Sequence, residues 1–398
     1  MVFHSPRACA HIARQMNLYS HYHSLARPQL MQEEIKAQLF VSDLTEQHAV
    51  FGGGRQLREC IDALVTKHHP QYIVIANSCV AGVIGEDTRA IAGEAEEYWG
   101  IPVMAVSGHG FLDGDYYSGF YQAGKLLIER FMSGQPRQPG TVTLIGDCGS
   151  RESSAVREVR NLLQGLKLRV HAVFPSYASI AQLALVPASE LVVVMGGSSR
   201  SYPWLKKLAE QVHERFGIPF VACDYPLGLQ STKRWLAAVG EVFGQPALAR
   251  EVAGHQEIRL KKHTDLAGNA LQGKTVTLCI GRPLDFFSPE WVLEFIAVSG
   301  LSLKQVILLD SLSNSAKAGM KERLDSAGLG CAIAEDEAAL MQNNADLVIT
   351  THELLYDQIR QIVLPLLPGP GVAGLAELME PAARLAGRYG RRGGIIFG

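Results

Sequence analysis

The chain has 398 residues, of which 47% are hydrophobic and 19% are charged, and its formal net charge is -2 at pH 7. This length predicts roughly two to four domains, and the near-zero charge argues against a nucleic-acid partner, which a basic excess would favour. Apolar runs are shorter than the ~18 residues of a membrane span and the N-terminus lacks a signal-peptide layout, so we expect a cytoplasmic protein without a membrane partner.

The first elements in chain order are a short strand, a turn and a helix over about residues 10–24. This helix carries His11, His21 and His23, which could bind a metal, although a solvated or partner-facing helix is the favoured interpretation. Residues 25–45 are polar and irregular. Three glycines follow at residues 52–54 and predict a helix-entry turn rather than a phosphate-binding loop, because no Gly-Lys-Ser/Thr sequence closes it.

A strand–helix–strand pattern follows, with strands over residues 72–76 and 101–106 and a helix between them over about 87–98. This order predicts a parallel sheet with right-handed crossovers. Cys79 lies directly after the first of these buried strands. Ligands of open parallel sheets collect outside the carboxyl ends of the strands, so Cys79 is a candidate binding residue.

The same alternation occurs twice more. Strands are predicted near residues 141–147, 168–174, 191–195, 218–223, 273–281, 305–310, 330–334 and 345–350. Helices are predicted near residues 152–164, 203–215, 231–243, 245–272, 289–299, 315–327 and 373–387. The predicted fold class is therefore α/β, with three Rossmann-like units whose small parallel sheets are flanked by helices. The expected boundaries are residues 1–136, 137–250 and 251–398.

The other cysteines are expected to be core residues more often than ligands. Cys60 lies on the apolar face of a predicted helix, and Cys279 and Cys331 lie inside predicted apolar strands, so packing is favoured for these three. Cys148 and Cys223 end strands and keep a smaller chance of facing a site. In a reducing compartment, disulfides between any of them are not expected.

Four short motifs resemble, in order, those of component 1 of nitrogenase and its relatives. They are a cysteine turn that ends at Cys9, a Ser-Asp…Val-Phe-Gly-Gly run over residues 42–53, a Cys-x-x-x-x-Ile-Gly-Glu-Asp turn over residues 79–87, and a Pro-x-Gly-x-x-x-Thr helix entry over residues 226–232. The relatives include cofactor-assembly scaffolds, tetrapyrrole reductases and methylthio-alkane reductases. The resemblance covers nearly the whole chain and implies that Cys9 and Cys79 are ligands of a metal cluster.

The chain also departs from the family pattern. Larger members hold an interfacial iron–sulfur cluster with three cysteines per subunit, whereas only Cys9 and Cys79 match here. Leu39 and Phe40 occupy the region where a β-type subunit supplies another ligand, and the sequence begins just before the Cys9 turn, so we expect no ligand from an N-terminal extension. The loop at residues 196–199 lacks the thiolate that α-type subunits use for the large catalytic cofactor. The resemblance therefore implies a β-type or simplified subunit.

Thiolates are the natural ligands of iron–sulfur clusters, and two of them are half of a four-ligand set. The implied cofactor is a [4Fe-4S] cluster or a larger P-cluster-like cluster at a subunit interface. The implied partners are an α-type component 1 subunit or a second copy of this chain, an ATP-hydrolysing iron–sulfur reductase protein, and a small-molecule substrate. No catalytic residue is assigned.

Three functions follow from these expectations. The first is a subunit of a nitrogenase-like oxidoreductase that passes electrons to a thioether, a tetrapyrrole or another hard-to-reduce molecule, with dinitrogen disfavoured by the missing ligands. The second is a scaffold for assembly of a nitrogenase-type metal cluster. The third, from outside the family, is a non-redox α/β protein that binds a small molecule between its lobes.

Overall fold

The structure is a computed structural model that describes residues 1–18, 39–106, 116–146, 153–176, 178–197, 200–282, 284–336, 338–342, 344–356 and 359–387. His21, His23, Cys148 and residues 107–115 and 198–199 lie outside these ranges. Among the helices of the described ranges, none combines the length and the apolar character that crossing a membrane requires.

The described chain alternates strands and helices. The strands are β1 (Val2–His4), β2 (Phe40–Val41), β3 (Ile73–Asn77), β4 (Val103–Val106), β5 (Gln138–Gly146), β6 (Arg169–Pro175), β7 (Ser189–Met195), β8 (Phe220–Val221), β9 (Thr275–Ile280), β10 (Ser302–Leu308), β11 (Ile333–Ala334), β12 (Leu347–Thr350) and β13 (Gln361–Val363). The helices are α1 (Arg7–Leu18), α2 (Glu46–Phe51), α3 (Gly54–His68), α4 (Cys79–Ile84), α5 (Thr88–Trp99), α6 (Tyr116–Phe131), α7 (Ser154–Gly165), α8 (Ile180–Leu183), α9 (Ser201–Phe216), α10 (Gly228–Val242), α11 (Pro246–Ala267), α12 (Pro289–Val298), α13 (Asn314–Ser326), α14 (Ala338–Met341) and α15 (Ala373–Ala386).

The strands form three separate parallel sheets, which confirms the predicted fold class. Their strand orders are β2-β1-β3-β4, β6-β5-β7-β8 and β11-β10-β9-β12-β13, and every pair in them is parallel. Central strands such as β7, with the run Leu191-Val192-Val193-Val194-Met195, are buried along that run. A continuous apolar run suits a strand whose two faces are both covered by helices.

The second and third sheets share one hydrophobic core, whereas the first sheet has its own. Val142 of β5 and Val276 of β9 belong to the shared core, together with Trp235 of α10 and Trp291 of α12. The core of the first sheet contains Val2 and Ile75 with Leu57 and Ile61 of α3. Burial of apolar area therefore holds the second and third units together. The first unit must be joined to them by other contacts.

Helix α6 supplies one of these contacts, because it packs against α9 of the second unit. A Cβ atom on Gly124 of α6 would lie 2.9 Å from both methyl carbons of Leu208 in α9. This close approach requires glycine, and it brings the end of the first unit onto the second.

Several short elements differ from the sequence-based expectations. Helix α1 begins at Arg7, before the predicted start, and β2 lies in a region expected to be irregular. Helix α2 was also not predicted; it begins after Thr45, whose N–H donates to the ring of His48 at 2.9 Å. Cys331 precedes β11 instead of lying inside it. Two or three residues of strand carry too little periodicity to be recognised in a sequence.

Candidate functional site

Cys9 and Cys79 lie on helices that follow neighbouring strands of the first sheet. Cys9 is in the first turn of α1 after β1, and Cys79 is the first residue of α4 after β3. Strands β1 and β3 pair directly, with His4 opposite Asn77. Both thiols are free and partly exposed. The structure therefore brings the two predicted ligands to the same carboxyl edge, as the order of the strands requires.

The start of the Cys79 helix is held by hydrogen bonds to the end of β1. The Ser78 backbone N–H and hydroxyl both donate to the His4 carbonyl, at 3.1 and 2.9 Å. The Ser78 oxygen in turn accepts the N–H of Ala81 at 3.3 Å and caps the helix. Gly85 ends the helix with a φ of 79°, which is the left-handed conformation that glycine adopts without strain.

The glycine turn at residues 52–54 is tied to the far end of this helix. The Glu86 carboxylate accepts the backbone N–H of Gly53. A Cβ atom on Gly53 would overlap the Leu44 side chain and lie 3.1 Å from His4 Cε1. The glycine is thus required by close packing, and the Phe-Gly-Gly motif was the sequence signal for it.

His4 lies beneath this turn and is fully buried. Its Nδ1 atom is 2.8 Å from the Ser42 hydroxyl. Burial lowers the pKa of His4 below its ordinary value, against a smaller opposing effect of the Glu86 charge. The ring is therefore neutral at pH 7. Sequence reasoning placed His4 in the cysteine turn but assigned it no role.

Large apolar side chains are exposed on the helices around the two cysteines. Val50 and Phe51 of α2 are 76% and 87% exposed, and Val83 of α4 is 76% exposed. Helices α2 and α4 contact each other, so these side chains belong to neighbouring helices at the edge that carries Cys79. Exposed apolar groups clustered in this way are typical of a protein–protein interface.

The two thiols at this edge could supply half of the four ligands of an iron–sulfur cluster. Among the residues that the structure describes, no three histidine, cysteine, aspartate or glutamate side chains are grouped closely enough to hold a metal ion. Two accessible thiols are the correct chemistry for iron–sulfur ligation, and the remaining ligands would have to come from another chain. The roles of Cys9 and Cys79 as ligands stay a prediction.

The junction of the three units is closed by Asp285, which follows β9. Its carboxylate accepts the N–H groups of Arg200 and Ser201 at 2.8 and 3.1 Å and the Ser201 hydroxyl at 2.5 Å. The hydroxyl of Tyr117, from α6, lies 3.4 Å away. A Cβ atom on Gly197 would overlap Asp285. The Asp285 carboxylate thus lies against Gly197 and the residues that begin α9.

The remaining described cysteines are buried or packed against the cores. Cys279 is fully buried in β9, as predicted. Cys60 packs on the first core and donates its thiol to the Val41 carbonyl at 3.6 Å. Cys223 and Cys331 pack against the shared core. Burial raises the pKa of the Cys60, Cys223 and Cys331 thiols, which makes them poorer thiolate ligands at pH 7.

A cleft between α10 and α12 was not predicted. It has a volume of about 310 Å³, and its lining includes Phe286, Trp291, Arg234 and Arg323; the described residues of the lining include no cysteine or histidine. This chemistry does not suit an iron–sulfur cluster. No sequence pattern indicated the cleft, because its walls come from helices of two different units.

Known proteins resemble this chain in sequence and in fold. Residues 1–366 match the family described as nitrogenase component 1 type oxidoreductase. The nitrogenase iron-molybdenum cofactor biosynthesis protein NifE of Clostridium pasteurianum is 28% identical over 253 residues, which are 63% of this chain and 54% of that protein. The nitrogenase molybdenum-iron protein alpha chain of Methanosarcina barkeri is 25% identical over 244 residues, which are 60% of this chain and 45% of that protein.

This chain therefore spans about half the length of the curated relatives that it matches. A solved structure named "Nitrogenase Cp1 at pH 6.5" superposes with a TM-score of 0.66 and 17% identity, over 97% of this chain and 84% of that chain. At this level of identity the likeness establishes the fold.

Proposed function

Because the chain belongs to the family of nitrogenase component 1 type oxidoreductases, we propose that it is the cluster-carrying subunit of a nitrogenase-like two-component reductase. The observation that carries this proposal is the placement of two free, partly exposed thiols, Cys9 and Cys79, on helices after paired strands. They would supply two ligands of an iron–sulfur cluster at the interface with an α-type subunit or a second copy. A bound cluster supplies one-electron transfer.

The residues of this chain would orient the thiols and exclude water from them. Ser78 fixes the start of the Cys79 helix, and Glu86 fixes its end against Gly53. The exposed Val50 and Phe51 favour a partner protein on the same edge. Hydrogen bonds and the exclusion of solvent would raise or lower the reduction potential of a cluster buried between two chains.

A second candidate function is a scaffold on which a metal cluster is assembled. The similarity to NifE, a cofactor biosynthesis protein by name, favours it. Reduction of a substrate with a low-potential donor, the reductase protein and ATP would separate a catalyst from a scaffold.

The test is anaerobic co-purification with partner chains, followed by iron and sulfide analysis of the wild type and of Cys9→Ala and Cys79→Ala. Cys331→Ala, which changes a partly buried cysteine of the third unit, is the matched control. We expect the first two variants to lose most of the iron and the control to keep it. A full complement of iron in Cys79→Ala would disprove the ligand assignment, and a colourless wild type free of iron and sulfide would favour a non-redox binding protein.

A further inference from the structure

Ser42 lies between the backbone of Ser5 and the ring of His4. The Ser42 oxygen accepts the Ser5 N–H at 3.2 Å and lies 2.8 Å from His4 Nδ1. A hydroxyl group can donate to a ring nitrogen or accept from it. When the Ser42 hydroxyl donates to Nδ1, the single proton of the neutral ring is on Nε2.

Two buried polar atoms at the end of the first sheet lack a hydrogen-bond partner in the described part of the chain. They are the Nε2 atom of His4, which is a donor when Ser42 donates to Nδ1, and the Oδ1 atom of Asn77, which is an acceptor. The Asn77 amide nitrogen donates to Thr88 Oγ1 at 2.9 Å. A buried donor and a buried acceptor without partners both destabilise the fold.

These two residues are opposite each other in the register of β1 and β3. Side chains at paired positions of neighbouring parallel strands point to the same face, and their Cα atoms are about 4.8 Å apart. The unpaired donor and the unpaired acceptor are therefore neighbours. Glu86 is also close, because its charge acts on His4 and its carboxylate is held at Gly53.

We propose that His4 and Asn77 bind one buried water molecule and thereby act as positioning residues for Cys79. The water accepts the Nε2–H of His4 and donates one hydrogen to Asn77 Oδ1. Its second hydrogen is directed to the Glu86 carboxylate. Three hydrogen bonds are typical of buried waters in proteins, and this arrangement satisfies both unpaired atoms.

The water would join the ends of the two strands that carry the Cys79 helix. His4 accepts both hydrogen bonds of Ser78, the residue before Cys79, and Asn77 immediately precedes Ser78. Loss of the water would loosen both attachments at once. Only the consequence of the water for a bound cluster rests on the proposed function.

The first experiment uses the metal-free wild-type chain. A crystal structure at high resolution is expected to show a water within hydrogen-bond distance of His4 Nε2 and Asn77 Oδ1. ¹⁵N NMR of histidine-labelled protein is expected to identify the tautomer with the proton on Nε2. A direct hydrogen bond between His4 and Asn77, a dry space between them, or a proton on Nδ1 would overturn the proposal.

The second experiment compares His4→Asn, which removes the donor at Nε2, with His4→Gln, which replaces it by an amide N–H. Alkylation of Cys79 in the metal-free chain is followed by peptide mass spectrometry, with Cys331 as the internal reference. We expect alkylation of Cys79 to be about fivefold faster or more in His4→Asn, and close to the wild-type rate in His4→Gln. Equal rates in the two variants would refute the positioning role.

Thr88→Val is the matched control, because it removes the other hydrogen bond of the Asn77 side chain and leaves the water site intact. It should leave alkylation of Cys79 nearly unchanged, and an increase as large as that of His4→Asn would count against the water. Iron content is not measured in these experiments. If Cys79→Ala keeps its iron, the ligand assignment fails but the proposed water site is unaffected. If alkylation of Cys79 does not respond to His4→Asn, the water site fails but the ligand assignment is unaffected.

Discussion

Replacing Asp285 by alanine tests whether one carboxylate holds the three units together. The side chain is buried and accepts three hydrogen bonds no longer than 3.1 Å, two from backbone N–H groups at the start of α9 and one from the Ser201 hydroxyl. An unpaired buried donor costs about 1–2 kcal/mol after partial rehydration. Three such donors predict a loss of about 3–6 kcal/mol in the free energy of unfolding.

The loss can be measured by urea denaturation followed by tryptophan fluorescence, since Trp235 and Trp291 are buried in the core that the second and third units share. A thermal scan is expected to show a fall in the melting temperature of roughly 6–24 °C, at about 2–4 °C per kcal/mol for the ~250 residues of these two units. Asp285→Asn should lose about half as much, because the amide keeps one acceptor oxygen.

The exposed Asp265 of α11 provides the control, and Asp265→Ala should change the stability by less than about 0.5 kcal/mol. Tyr117→Phe should also have a small effect, because its hydroxyl is 3.4 Å from the carboxylate. A loss below about 1 kcal/mol in Asp285→Ala would show that the shared apolar core alone joins these units. The Asp285 carboxylate would then not be needed to close the junction.

Three further predictions concern the edge of the first sheet. Burial lowers the pKa of His4 in the folded chain below 6.5, so the unfolded chain binds a proton first as the pH falls. The contribution of His4 to stability should be constant above about pH 6.5 and decrease below it. The midpoints of urea denaturation at pH 7.5 and 5.5 should therefore differ less in His4→Gln than in the wild type. Gly53→Ala would overlap the buried Leu44 side chain and should destabilise the fold by about 1–3 kcal/mol in the same titration; a neutral result would mean that the turn is loosely packed. Phe51→Ser should leave the isolated chain folded but weaken co-purification with a partner about tenfold or more. Leu355→Ser, which changes a side chain that is 90% exposed in the third unit, should not weaken it. If both variants retain the partner equally, Phe51 is not part of the interface.

The sequence alone determined the alternation of elements and the position of Cys79. Apolar runs such as residues 191–195, separated by helical periodicity, predict buried parallel strands because each strand end must be reached through a crossover. Cys79 directly follows one of these predicted strands, so it is expected at the carboxyl edge of the sheet. The family motifs added the pairing with Cys9, and the structure places that residue on the helix after the neighbouring strand.

The contacts between distant segments were decided by the tertiary structure. Asp285 is one acidic residue in a loop, and no local pattern indicates that it meets the start of α9, 84 residues earlier in the chain. The neighbouring unpaired atoms of His4 and Asn77 likewise depend on the register of two strands. Periodicity indicates which face of an element is buried. The partner of a single polar side chain depends instead on how the units pack, and this packing is determined by residues throughout the chain.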